Sequence, residues 1–270
     1  MPELPEVETI ARGLANKIVG KTIARVDVAW KPIAVAPKGV RFARALEGER
    51  VVRSWRRGKY VVLDLASGRR LVTSLRMTGR LIVRAAGDGP YPYAHVVLHF
   101  TDGTHLVFSE MRKFGRMRLV EPGEPWDADL GIEPLGKPFT PQAFNGIVSG
   151  RTTPVKALLL DQRRIAGIGN IYACEALWVA RIRPDRPAGA LTKPSLRRLH
   201  RAIVDVLLEA CKMGGSSVDD YVDADGLRGG FQNVLSVYGR LGRPCARCGK
   251  PIVRTVLGGR GTWWCRGCQR

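Results

Sequence analysis

The sequence predicts an α+β protein with more than one domain, and three features of the chain support this prediction. Between Lys21 and Val120, apolar residues alternate with polar ones, which is typical of short β-strands. After Pro141, apolar residues recur every three or four positions, which is typical of helices. Two Cys-x-x-Cys pairs end the chain. We therefore expect an N-terminal antiparallel β-sandwich or barrel with a flanking helix, then helices, then a four-cysteine β-hairpin.

The composition indicates a folded protein that binds a polyanion. The hydrophobic content of 45% argues against disorder. The length of 270 residues makes two domains the default expectation. Lys and Arg number 44 against 24 Asp and Glu, a formal net charge of +20, so nucleic acid and anionic membrane are the candidate partners. No apolar run is long enough to span a bilayer, and the acidic start does not resemble a secretion signal. We expect a cytoplasmic, nucleoid-associated monomer that is not bound to membrane and whose cysteines are reduced or bind metal.

The first eight residues allow a structural and a chemical interpretation. Pro2 and Pro5, with acids beside them, suit the first turn of a helix. Removal of Met1 would instead expose the secondary amine of Pro2 next to the carboxylate of Glu3. An α-amino group has a pKa of about 8, against about 10.4 for lysine, so part of it is a neutral nucleophile near pH 7. On this octapeptide alone, the structural interpretation is favoured.

The pattern along the chain predicts individual elements. An apolar helical stripe ends at Gly20 and consists of Val7, Ile10, Ala11, Leu14 and Ile18. Strands are predicted at Ile23–Val28, Tyr60–Leu65, Arg70–Leu75, His95–Phe100 and His105–Phe108. Asp102-Gly103 predicts a tight hairpin between the last two strands. Helices are predicted after Thr153-Pro154, after a capping Asn170, and from Thr192 to Met213.

A proline- and glycine-rich connection separates the strands from the helices. Glu121 to Pro141 contains five prolines and three glycines and has little periodicity. We expect a domain at 1–130, a linker at 131–141, a helical domain at 142–235 and a zinc hairpin at 236–270. Ser216 to Phe231, rich in Gly and Asp, is expected to be a mobile functional loop.

The C-terminal cysteines predict a structural metal site. Cys245 and Cys248 are separated by sixteen residues from Cys265 and Cys268, which fits a four-cysteine zinc pattern. Four thiolates fill a tetrahedral Zn²⁺, so one zinc ion would be structural rather than catalytic. Gly258-Gly259 lies between the pairs and suggests a hairpin tipped by Arg260. No acid follows Asp225 while nine cations do, as phosphate binding requires.

These features together resemble the formamidopyrimidine-DNA glycosylase family, bacterial repair enzymes for oxidised purines. The similarity runs essentially end to end. The stretches that carry it are Pro2–Thr9, Arg57-Gly58-Lys59-Tyr60, Arg112-Lys113-Phe114-Gly115, Asp161-Gln162-Arg163, Gly167–Ala173, Tyr238-Gly239-Arg240 and the zinc hairpin. The resemblance implies a β-sandwich domain, a helical domain with a helix–two-turn–helix motif, and a zinc finger.

The resemblance also implies catalytic roles. Pro2 would be the nucleophile at the sugar C1′, Glu3 the acid and base, and Glu6 a support for the N-terminal geometry. Lysine, arginine and polar side chains would contact phosphates around the lesion and assist the reaction: Lys59, Asn170, Tyr238, Arg260 and, by one suggestion for the family, His95.

A second group of residues would handle the extruded nucleotide. Met77, Arg112 and Phe114 would fill the gap that it leaves, while Lys156 and the loop Ser216 to Phe231 would lie near the damaged base. The chemistry agrees, because a base must leave the stack before C1′ is reachable and a wedge offsets part of the unstacking cost.

The resemblance predicts a bifunctional DNA glycosylase and abasic-site lyase acting on duplex DNA with oxidised purines or abasic sites. Its reaction would use a proline Schiff base and β,δ-elimination. Ser74 and Arg76 stand where typical members have histidine and glycine, so an endonuclease VIII-like preference for oxidised pyrimidines is the nearest alternative. A non-catalytic zinc protein that binds DNA and an RNA-binding protein are further alternatives.

Overall fold

A computed structural model describes residues 2–218 and 220–270, and these form two compact units. The first unit contains the chain up to Ala128 together with Met213–Gly230. The second contains Asp129–Lys212 and Phe231–Arg270. The expected helical domain at 142–235 included residues 213–230, which the compact units assign to the first unit. The boundaries drawn from the sequence stay a proposal.

Nine strands and two α-helices are present in the described residues of the first unit. The helices are α1 (Leu4–Ile18) and α2 (Phe42–Leu46). The strands are β1 (Ile23–Val28), β2 (Ala34–Val35), β3 (Val51–Arg57), β4 (Tyr60–Leu65), β5 (Arg70–Ser74), β6 (Gly79–Arg84), β7 (Ala94–Phe100), β8 (His105–Glu110) and β9 (Arg116–Val120). The strands predicted from the alternating pattern are therefore confirmed within one or two residues.

The strands form two sheets whose apolar faces share one core. One sheet has the order β1-β7-β8-β6 and the other β2-β9-β5-β4-β3. All pairs are antiparallel except the short β2–β9 pair. Phe108 from the first sheet and Leu63 from the second belong to the same buried cluster. The predicted β-sandwich is confirmed, since residues of both sheets are removed from water together.

Helix α1 packs onto this core through the predicted stripe. Val7, Ile10, Leu14 and Ile18 are fully buried and belong to the sandwich cluster. Burial of such side chains contributes about 1.5–3 kcal/mol each, so α1 is firmly anchored. The anchoring fixes the position of the residues immediately before the helix.

The main elements in the described part of the second unit are four α-helices and one β-hairpin. They are α3 (Pro141–Val148), α4 (Val155–Leu160), α5 (Asn170–Ala180), α6 (Lys193–Lys212), β10 (Ile252–Leu257) and β11 (Arg260–Cys265). The expected cap at Asn170 is wrong: Gly169 is the N-cap of α5 and Asn170 is its first helical residue. The reason is that the Asn170 side chain is bonded to Lys156 and Gly261 instead. In the part of the chain that the structure describes, no helix has the length and apolar character needed to cross a membrane.

Candidate functional site

The N-terminus is held by a carboxylate that faces two segments of the first unit. Pro2 is buried, and Glu3 is the N-cap of α1. The Glu3 N–H donates to Glu6 Oε2 at 2.8 Å, and the Ser216 N–H donates to Glu6 Oε1 at 2.7 Å. Glu6 is only 1% exposed, so water does not compete for these bonds. Glu6 thereby joins the residue after Pro2 to a loop some two hundred positions away.

That loop, Ser216 to Phe231, is placed against α1 by a glycine. Gly215 has a φ of +80°, and a Cβ there would lie 2.8 Å from Glu6 Oε1. Only glycine lets the backbone approach the carboxylate so closely. The Tyr221 hydroxyl donates to the Gly214 carbonyl at 3.1 Å and fixes the turn. Asp219, within the loop, lies outside the described residues, as does Met1.

The three predicted wedge residues come together on two neighbouring loops. Met77 follows β5, while Arg112 and Phe114 follow β8. Arg112 Nη1 donates to Met77 Sδ at 2.9 Å, and its guanidinium lies 5.0 Å from the centre of the Phe114 ring. Met77 is 42% exposed and Phe114 53% exposed, so the two apolar side chains and the cation between them form one exposed cluster. An exposed apolar cluster with a central cation suits insertion between bases.

Glu110, which we did not identify from the sequence, supports both wedge loops. Its fully buried carboxylate accepts from the Arg112 N–H at 3.2 Å and from the Gly115 N–H at 3.3 Å. It also accepts from the Thr78 hydroxyl and the Phe114 N–H. Because one carboxylate satisfies donors from both loops, it sets their relative position. The sequence did not distinguish Glu110 from Glu121, which follows β9 and is partly exposed, so the burial of Glu110 was evident only in the structure.

A Glu110→Gln variant tests this support. The amide would turn an N–H₂ group toward backbone N–H donors, so buried donors lose their acceptor. We expect the free energy of unfolding to fall by about 2 kcal/mol and affinity for an abasic duplex to fall with it. Thermal unfolding and titration of labelled duplex measure the two effects. Glu121→Gln removes only a partly exposed bond to Arg69 and should change stability by less than about 1 kcal/mol; an equal loss in both variants contradicts the role of Glu110.

Lys59 and His95 occupy different settings in the first unit. Lys59 lies with Gly58 in the two-residue turn between β3 and β4, where the Gly58 φ is +56°. His95 lies on β7, is 9% exposed, and its Nε2 is 2.9 Å from the Glu110 carbonyl oxygen. The His95 ring is therefore hydrogen-bonded within the fold, next to the segment that carries the wedge residues.

Lys156 ties α4 to α5 and to the C-terminal hairpin. Its ammonium donates to Asn170 Oδ1 at 2.6 Å, Thr262 Oγ1 at 2.7 Å and the Gly261 carbonyl at 3.2 Å. Asn170 Nδ2 donates to the same carbonyl at 3.0 Å. Lys156 is fully buried, so these bonds offset the cost of removing its charge from water. The lysine therefore fixes the hairpin against the start of α5.

Two of the residues expected to contact DNA lie on the hairpin or against it: Arg260 and Tyr238. Arg260 is exposed and follows the Gly258-Gly259 turn directly, as predicted. The Tyr238 ring packs 4.4 Å, centre to centre, from Trp263 of β11. The Tyr238 N–H donates to Glu175 Oε1 at 2.8 Å.

Glu175 is a second buried acid that the sequence analysis missed. Its carboxylate also accepts from the Ser236 and Val237 N–H groups, at 2.9 and 3.0 Å. Burial raises the pKa of Glu175, while these backbone bonds act to lower it. A single acid within the apolar sequence of α5 was the available signal. It holds the segment that leads from the helices to the hairpin.

The four predicted cysteines form a cluster that fits zinc. Their sulfur atoms all lie within 4.8 Å of one another. Cys245 and Cys268 are 3.8 Å apart, and Cys248 and Cys265 are 3.5 Å apart. Zn–S bonds of about 2.3 Å in a tetrahedron require sulfur separations of about 3.8 Å. The four side chains therefore hold one structural zinc ion.

The metal-free thiols differ in acidity. Burial disfavours the Cys245 thiolate, but hydrogen bonds from Trp178 Nε1 and from the Arg247 and Cys248 N–H groups outweigh it and lower its pKa to about 6. Burial raises the pKa of Cys268 to about 12.

Three family models match this chain in succession. The formamidopyrimidine-DNA glycosylase N-terminal domain matches residues 1–117, and the H2TH domain of the same enzymes matches residues 130–222. A zinc finger found in FPG and IleRS matches residues 242–270. The matches follow the order sandwich, helices and zinc hairpin.

Full-length relatives agree with these matches. Formamidopyrimidine-DNA glycosylase of Brevibacillus brevis is 46% identical, with 100% of this chain and 99% of the relative covered. The crystal structure of the Thermus thermophilus protein has a TM-score of 0.89 at 42% identity and covers 99% of this chain and 98% of that one. A Lactococcus lactis protein crystallised with DNA containing an oxidised pyrimidine has a TM-score of 0.91 at 34% identity, over 100% of both chains. The chain belongs to the formamidopyrimidine-DNA glycosylase family.

Proposed function

We propose that this protein is a base excision repair enzyme that removes oxidised purines from duplex DNA and then cleaves the abasic strand. The observation that carries the proposal is the N-terminal arrangement, in which Glu6 fixes Glu3 and hence the position of Pro2. Family membership supports both the glycosylase and the lyase activity. We place the enzyme in the cytoplasm, with the nucleoid.

In the proposed reaction the Pro2 nitrogen attacks C1′ of the damaged nucleotide. The C1′–N bond breaks, and the departing base takes up a proton. Glu3 transfers protons as the sugar ring opens and the proline iminium forms. The iminium withdraws electrons, so a C2′ proton is lost and the 3′ phosphate leaves. A second elimination releases the 5′ phosphate, and hydrolysis of the conjugate frees Pro2.

The remaining site residues would hold the DNA in the shape that this reaction needs. Extrusion of a nucleotide costs a few kcal/mol, and the cluster of Met77, Arg112 and Phe114 would occupy the gap and offset part of that cost. Lys59, Asn170, Tyr238 and Arg260 would bind phosphates without reading sequence. Zinc would brace the hairpin through its four cysteines and take no part in the bond changes.

Borohydride trapping tests the function. Reduction of the iminium should give a covalent protein–DNA adduct on duplex that contains 8-oxoguanine, and also on an abasic duplex. Undamaged duplex of the same sequence is the control and should give none. The proposal fails if neither damaged duplex yields an adduct.

Oxidised pyrimidines are a second candidate substrate class, because a relative was crystallised with such DNA. Parallel cleavage of oxidised-guanine and oxidised-thymine duplexes ranks the two classes. Faster cleavage at oxidised thymine would favour the endonuclease VIII-like alternative.

An Arg260→Ala variant tests the phosphate contact at the hairpin turn. Loss of one phosphate contact should lower the salt slope of DNA binding by about 1, since one fewer counterion is released. Affinity measured over a range of salt concentrations gives the slope. Arg201→Ala is the matched control, because Arg201 lies on α6 and its partner is Asp205. An unchanged slope for Arg260→Ala would remove this residue from the phosphate contacts.

A further inference from the structure

A basic cavity lies in the second unit, at the base of the hairpin. Its volume is about 510 Å³. It lies among the end of α5, the start of α6 and the two cysteine turns. Five arginines line it, together with Ile182, Ser195, Cys248, Gly267 and Cys268: these are Arg181, Arg186, Arg198, Arg247 and Arg270. None of the lining residues is Asp or Glu.

The zinc site balances only part of this charge. Four thiolates on one Zn²⁺ carry about two units of negative charge, which leaves about three of the five arginine charges unbalanced. A terminal carboxylate on Arg270, if counted as well, still leaves the cavity cationic. Like charges held around one concavity repel each other, so an anion there would be stabilised.

Three of the arginines are oriented by neighbouring groups. Arg247 stacks 3.8 Å from the centre of the Trp178 ring and donates to the Trp178 carbonyl at 2.8 Å. Arg198 Nη2 donates to Ser195 Oγ at 3.0 Å, and Arg186 Nη2 donates to the Ala190 carbonyl at 3.1 Å. A guanidinium has five N–H donors, so each retains donors for a ligand. Such preorientation lowers the entropy lost on binding.

The lining favours a phosphate over a peptide. Ile182 is the one large aliphatic residue in the lining and is only 1% exposed, so an apolar peptide side chain has no surface to bind. Planar guanidiniums match the oxygen spacing of phosphate in bidentate fashion.

The cavity is also separate from the hairpin turn. The strand β11 lies between them and runs from Arg260 to Cys265, five residue steps of about 3.3 Å each.

We propose that this five-arginine pocket binds a phosphate-bearing ligand. The source is either the backbone of a nucleic-acid segment or a free oligophosphate, and both present the same chemistry to the arginines. The site differs from the phosphate contacts proposed for Lys59, Asn170, Tyr238 and Arg260, and it does not depend on glycosylase activity.

Calorimetric titration of zinc-loaded protein with pyrophosphate tests the pocket. We expect binding to the unaltered protein and a dissociation constant at least about tenfold higher in an Arg186→Gln, Arg198→Gln double variant, since two charge-assisted contacts are lost. Arg201→Gln, on the same helix as Arg198 but bonded to Asp205, should bind as the unaltered protein does. Zinc content and melting temperature check folding. If the double variant is unfolded, Arg186→Gln alone is tested, because its guanidinium caps one exposed loop carbonyl.

The two sources give different results with DNA. For a nucleic-acid backbone, the double variant should lower the salt slope on a long duplex but not on one that only covers the lesion site. For a free oligophosphate, both slopes should be unchanged while pyrophosphate binding is lost. No heat of binding in the unaltered protein, or equal weakening in Arg201→Gln, would overturn the proposal.

Discussion

A Pro2→Gly variant is expected to bind damaged duplex DNA while base release falls by at least about 100-fold, because the nitrogen loses the ring that fixes its direction and small misplacements are costly. Pro2 is buried ahead of α1, and Glu6 holds the next residue in place. Single-turnover release of 8-oxoguanine and the yield of borohydride-trapped adduct measure the effect. Duplex affinity, measured separately, should change little.

Pro5→Ala is the matched control for this experiment. Pro5 lies in the first turn of α1 and carries no amine, so its replacement should leave trapping intact and lower stability only modestly. Equal loss of binding and base release in Pro2→Gly would indicate misfolding. Undiminished trapping would place the nucleophile elsewhere. Mass spectrometry of the mature N-terminus is a second check, since a retained Met1 blocks the Pro2 nitrogen.

A Cys248→Ser variant is expected to lose its zinc, the hairpin β10–β11 and most of its affinity for DNA. Structural zinc contributes about 10 kcal/mol or more to folding of such modules at neutral pH, far more than a hairpin of two six-residue strands could replace. Without the hairpin, the Lys156 ammonium loses its hydrogen bonds to Thr262 and Gly261, and Arg260 has no fixed position. Zinc content, circular dichroism and duplex titration measure the three losses.

Lowering the pH should cause the same losses of zinc, hairpin structure and DNA affinity in the unaltered protein. Zinc binds thiolates, so protons compete with it, and affinity for zinc falls as the pH is lowered.

Cys211→Ser is the control for the Cys248→Ser substitution, because Cys211 lies on α6 outside the cluster and its loss should leave zinc bound. A zinc-free Cys248→Ser protein with unchanged DNA affinity would contradict a bracing role for the metal.

Much of the fold could be predicted because the signals were local. Alternation along β7 from Val96 to Phe100 places every second side chain on one face of the strand, β4 is rich in Val and Leu, and the stripe of α1 follows from 3.6 residues per turn. The Cys245–Cys268 spacing indicated zinc in the same way, since the ligand pairs lie on two short turns. The assignment of the site residues came from the resemblance, and their roles remain predictions.

Other parts of the site depend on contacts between distant positions, and there the sequence was insufficient. Asn170 suits a helix cap by its type, yet its side chain is bonded to Gly261, 91 positions away. The loop after Met213 was grouped with the helices that precede it, whereas Gly215 and Ser216 pack on Glu6. Neither partner could be identified from neighbouring residues.

By itself, the sequence determined five of the sandwich strands, the helices α1, α4, α5 and α6, and the metal ligands, since periodicity and spacing express preferences within a few residues. Only the tertiary structure decided which buried charges hold the site together. Glu110 gathers donors from two loops, Glu175 holds the segment before the hairpin, and Lys156 joins the hairpin to α5. The physical reason is that a buried charge is stable only where the fold supplies its partners, and those partners are assembled from separate parts of the chain.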